Sequence, residues 1–217
     1  MAEATMGESQ AMDAVQLEKA ARQVDYARIR RIGSYHFAMA MGALTIWGAA
    51  ATWAQVTGWA IAQFAAVGGA LVAGMILPSI IHEWGHFAGA RLSGAQSPAL
   101  EKPRNHYFMF DFAMDQNDAR QFIWMSWGGI LAPWVLVVGA WVFVPWALTS
   151  GLVLIATLMS RAVAVTVFEA PIAQAVSQGG DPGTELGRQI KDGALSRAGL
   201  VGNVSGWLIF AALWVVL

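Results

Sequence analysis

His82 and His86 stand four residues apart with Glu83 between them, in the run His82-Glu83-Trp84-Gly85-His86. On a helix this spacing puts two imidazoles one turn apart on one face, close enough to share a Zn²⁺ ion. Zinc held in this way polarises a carbonyl and lowers the pKa of a water molecule to about 7, so a hydroxide nucleophile is available at neutral pH. Glu83, next to the first histidine, is the candidate general base that takes the proton of the attacking water and passes it to the leaving group. Such a site needs a third protein ligand and one open position. The chain has no cysteine, so that ligand must be a histidine or a carboxylate.

Two carboxylates compete for this role. Asp181, in Gln178-Gly-Gly-Asp-Pro-Gly183, is preferred because it follows the fourth expected span on the side where the HExxH run ends. Glu169 is the rival, inside that span and two residues before Pro171, where a proline loosens the helix and turns its neighbours inward. Each residue also has a structural reading. HExxH has three fixed positions and occurs by chance, Gly-Gly-Asp-Pro-Gly is strong turn chemistry with or without a metal, and Arg161 and Glu169 suit a polar contact between helices. His36 and His106 read as interfacial or loop histidines.

The elements that must position these groups are membrane helices. The chain is 57% hydrophobic and 12% charged, with 11 tryptophans, where a soluble domain carries about a quarter charged residues. The tryptophans read as anchors at the membrane surfaces. Five spans are expected, at 36–54, 58–81 continuing as helix to 92, 121–143, 149–171 and 199–217, in an all-α polytopic bundle. Residues 1–33 read as a retained cytosolic arm with an amphipathic helix around Val15 to Ile29, ahead of one membrane domain over 34–217. Lys19, Arg22, Arg28, Arg30 and Arg31 precede the first span. Arg91, Lys102, Arg104 and Arg120 follow the second, and Arg188, Lys191 and Arg197 follow the fourth. The positive-inside rule then predicts a cytosolic N-terminus, an external C-terminus and an HExxH run at the cytosolic end of the second span. A net charge of −1 argues against nucleic acid as a partner.

The connection from Ser93 to Gln121 is long, and its His106-Tyr-Phe-Met-Phe-Asp-Phe112 stretch spaces Phe108, Phe110 and Phe112 at period two, a strand pattern. A short hairpin is expected there, either offering an edge to an extended peptide or resting on the bilayer surface.

The stretch His82-Glu83-Trp84-Gly85-His86-Phe87-Ala88-Gly89-Ala90-Arg91-Leu92-Ser93-Gly94 resembles the HExGHxxxARxxG signature of site-2 proteases, the intramembrane zinc metallopeptidases. The resemblance implies a core of three helices and zinc bound by two histidines and an aspartate from a later span. It also implies cleavage of peptide bonds within or near the transmembrane segments of other proteins. The expected partners are thus the bilayer and a membrane-protein or membrane-anchored peptide substrate. Trp127-Gly-Gly-Ile-Leu-Ala-Pro133 looks like a loose version of the small-residue segment of that family. Site-2 proteases usually show Asn-x-x-Pro followed closely by Asp-Gly, whereas here Phe168-Glu-Ala-Pro171 is separated from Asp181 by a longer insert. The alternatives are a non-catalytic relative serving as a subunit or assembly factor of a membrane complex, and a membrane metalloenzyme with a non-peptide substrate.

Overall fold

The computed structural model describes residues 2–216, with side chains from Val15 to Val216. Its elements run α1 (Ala2–Thr57), α2 (Ala60–Leu92), β1 (Ala99–Arg104), β2 (Phe108–Phe110), α3 (Ala119–Phe143), α4 (Thr149–Ser177), α5 (Pro182–Lys191) and α6 (Ala194–Val216). Five of these helices, all but α5, are long and apolar enough to cross a membrane. The protein is therefore an all-α, multi-pass membrane bundle with one small antiparallel hairpin, as its hydropathy predicts. The expected end of the last span at residue 217 lies outside the described residues.

The last span begins at Ala194 rather than at 199, and three further boundaries differ from expectation. The helix expected around Val15 to Ile29 is not separate, since α1 runs unbroken from the arm into the first span. No proline interrupts it, and Gly33 is used for packing: a Cβ there would touch the Trp84 ring of α2. The fourth span does not stop at Pro171 but continues to Ser177. Residues 182–191, expected as turn and loop, form α5, for which Asp181 is the N-cap and Pro182 the first residue.

α2 is the central helix, packed on α1, α3 and α4, while α6 packs on α4. Small residues set the spacing. Gly85 and Gly89 of α2 face the backbone of Gly128 and Trp124 on α3, so the Gly-x-x-x-Gly step brings the two backbones into contact. Gly202 and Gly206 do the same for α6 against Ser160 of α4, whose hydroxyl bonds Asn203. A core of Ala70, Ala73, Leu77, Val137, Leu154, Ile155 and Leu158 fills the bundle on the side of the α3–α4 connection.

The hairpin sits on the protein. Met109 is fully buried with Ile32 of α1 and Phe87 of α2. Asn105 and His106 take the left-handed conformations that a tight two-residue reversal requires. Asp25 accepts from Ala99 N (2.8 Å) and Arg28 donates to Ala99 O (3.2 Å), so α1 covers this end of the β1 edge. Arg91, at the end of α2, bonds Asp25 (2.6 Å) and Ser97 O (2.9 Å) and lies over the Phe87 ring. His36 is fully buried, accepting from Trp84 Nε1 (3.1 Å) and donating to His106 O (3.0 Å), so it fastens α1, α2 and the hairpin together.

Candidate metal centre

His82 and His86 project from α2 with ring centroids 4.3 Å apart. Each is oriented by α3: His82 Nδ1 lies 3.0 Å from Gly129 O and His86 Nδ1 lies 2.9 Å from Met125 O. A carbonyl oxygen only accepts, so both Nδ1 atoms carry the proton, and in the neutral rings both Nε2 atoms present a lone pair. The α3 sequence prepares this. A helical Gly129 carbonyl would ordinarily accept from residue 133, but residue 133 is proline and has no N–H, so the carbonyl is left for His82. Gly129 also has no side chain where a Cβ would run into the His86 imidazole. The small-residue segment Trp127 to Pro133 thus supplies both the space and the acceptor that hold the histidines.

Glu169 of α4 completes the group. Its Oε1 is 3.2 Å from His82 Nε2 and 3.2 Å from His86 Nε2, and the two Nε2 atoms are themselves 3.2 Å apart. With both rings neutral, three lone-pair donors form an equilateral triangle, an arrangement that a shared cation would satisfy. In a tetrahedral site with bonds of about 2.0 Å the ligands stand about 3.3 Å apart. The triangle therefore fits one face of a metal's coordination shell, and the second Glu169 oxygen is buried with no hydrogen-bond partner. His82, His86 and Glu169 together could hold a metal ion. Their side chains keep 14–16% exposure, so the group is not fully sealed.

Glu83 stays outside the triangle. It is buried at 6% exposure, within electrostatic reach of both imidazoles and Glu169.

Asp181, the ligand preferred from sequence, is not brought to the histidines. Its Oδ1 accepts from Thr184 N (2.8 Å) and Thr184 Oγ1 (2.7 Å) at the exposed start of α5, and these bonds hold its carboxyl below the usual aspartate range. The physical reason for the correction is that α4 continues past Pro171, carrying residues 178–181 beyond the site while Glu169 stays at the depth of the HExxH turn. The Asp-Pro-Gly-Thr signal belongs to a helix cap, and it was legible as one. Gly129 and Pro133 also position the site, and a helical proline four residues after a glycine is the sequence sign of the free carbonyl.

Comparison with protein-family models, curated proteins and solved structures found no match for this chain. The functional reading therefore rests on the site itself.

Proposed function

We propose that the protein is a membrane-embedded zinc metalloendopeptidase, similar to site-2 proteases, that cleaves peptide bonds within or near the transmembrane segments of membrane proteins. The observation that carries this reading is the His82, His86 and Glu169 triangle with the Glu83 carboxylate beside it. Two neutral imidazoles and one carboxylate form a donor set used by zinc peptidases, and they suit zinc better than the all-oxygen shells of magnesium or calcium. Zinc in such a site supplies a Lewis acid for a scissile carbonyl and lowers the pKa of water. The chain's own residues do the rest. Gly129 and Met125 carbonyls fix the imidazole tautomers and orientation, and Glu169 neutralises charge and completes the ligand set. Glu83 accepts the proton of the attacking water and returns it to the leaving amine. The position of the site at the loop end of two apolar helices supports a substrate that is itself in the membrane, because a membrane segment reaches such a site without leaving the bilayer.

The test is proteolysis of a tagged single-span protein by the purified chain in proteoliposomes. The native chain should cleave it in a zinc-dependent way. Glu83→Gln should retain zinc and lose cleavage by at least about a hundredfold, since an amide cannot accept the proton. Undiminished cleavage by this variant would overturn the mechanism. Zinc bound with no cleavage of any membrane segment would favour a non-catalytic subunit of a larger complex.

A further inference from the structure

Among the five apolar spans expected from hydropathy, Arg161 is the one basic residue away from a span's ends. It lies on α4 about 18 Å from the helix start at Thr149 and about 24 Å from its end at Ser177, at 1.5 Å rise per residue. Arg161 thus lies in the middle third of the helix, several turns from either end. Among the described residues no carboxylate pairs with Arg161, whereas Arg22, Arg91 and Arg188 each hold one. Glu169, the other charged residue of α4, is turned to the histidines. A guanidinium at this depth is costly unless it meets an acceptor, and within spans such residues mark functional contacts.

Its surroundings show where that acceptor comes from. Thr157 and Ala164, one turn to either side on the same face of α4, lie against Gly74 of α2 and Gly202 of α6 respectively. α2 and α6 both pack on α4 but make no extensive contact with each other. α4 thus floors a seam between them, and Arg161 is half-buried in it.

We infer that Arg161 receives a carboxylate carried within the transmembrane segment of the polypeptide to be cleaved, and so selects segments and sets their register. This rests on the peptidase reading above. Arg161 and Glu169 are about 12 Å apart along α4. A helical segment alongside would therefore carry its acid about two turns from the bond presented to the metal centre, on the side away from the HExxH loop.

Two single-span reporters, identical except for Asp or Asn at that position, test this with the full chain. The native protein should cleave the Asp reporter at least about tenfold faster, the penalty expected for removing one partner of a buried charge pair. Arg161→Gln, with its zinc content unchanged, should cleave both at the slower rate. Arg161→Glu should prefer a reporter with Arg at the same place, a reversal that a folding defect does not produce. Equal cleavage of the Asp and Asn reporters by the native chain, or no reversal by Arg161→Glu, would overturn the inference and leave the peptidase reading standing. A pull-down with the Glu83→Gln protein separates the remaining cases without needing catalysis. Retention of the Asp reporter that depends on Arg161, with no cleavage by the native chain, would mean a stable companion helix and overturn the substrate assignment. Equal retention of both reporters would overturn the contact itself.

Discussion

At the scale of single residues, the centre is defined by which atoms carry protons and which do not. Two Nδ1 atoms bound to backbone carbonyls leave, in the neutral rings, two Nε2 lone pairs, and Glu169 Oε1 meets both at the same distance. Glu169→Ala should therefore deplete zinc, as should His82→Ala and His86→Ala, while Asp181→Ala should leave it bound. Elemental analysis of the purified variants reads this directly, and zinc lost with Asp181 and kept without Glu169 would reverse the assignment. Pro133 makes a subtler case. Pro133→Ala restores a helical N–H that competes with His82 for Gly129 O, so zinc affinity should fall by about 10 to 100-fold, the cost usual for a group that orients a metal ligand. A competitive chelator titration measures it, and the helical content should be unchanged.

At the scale of elements, the site depends on how closely α2 and α3 approach. The carbonyls of Gly129 and Met125 reach the histidines because Gly85, Gly89 and Gly128 let the two backbones touch. Gly85→Ala places a methyl group against the Gly128 carbonyl, and the helices must part to admit it. Overpacking of this kind costs about 1–3 kcal/mol, so the thermal midpoint in detergent should fall and zinc should be held more weakly. Substitution of Gly42 or Gly48, where a Cβ meets nothing, is the control and should change neither. The hairpin and α1 belong to the same framework: Trp84 lies inside the HExxH run, yet its ring nitrogen serves His36 and the docking of α1.

At the scale of the whole molecule, His82, His86 and Glu169 meet where the C-terminal parts of α2 and α4 approach, so the 93–118 and 178–193 connections leave the bundle on one side. From the basic residues of both connections, the positive-inside rule predicts the cytosol for that side. Reporter fusions after Gly94 and after Gly193 should both report the cytosol, and one after Thr149 the opposite side. An external result at Gly94 would invert the orientation.

Much of this protein is written locally. An apolar run ending in His82-Glu83-Trp84-Gly85-His86 determines a membrane helix with two imidazoles on one face, because periodicity and hydropathy act within one segment. The five spans and the alternating aromatics of β2 follow in the same way. The third member of the metal group does not. Glu169 lies inside the fourth expected span and Asp181 beyond it, and the choice between them depends on whether α4 survives Pro171, at what depth it crosses α2, and which face it turns. Those are distances between segments, set by glycine contacts, buried volume and the hairpin's hold on α1. The tautomers of His82 and His86 are likewise decided by carbonyls on another helix. Only the folded bundle brings Glu169 within 3.2 Å of both imidazoles and leaves Asp181 to cap α5, because side-chain chemistry is a property of the chain but convergence is a property of packing.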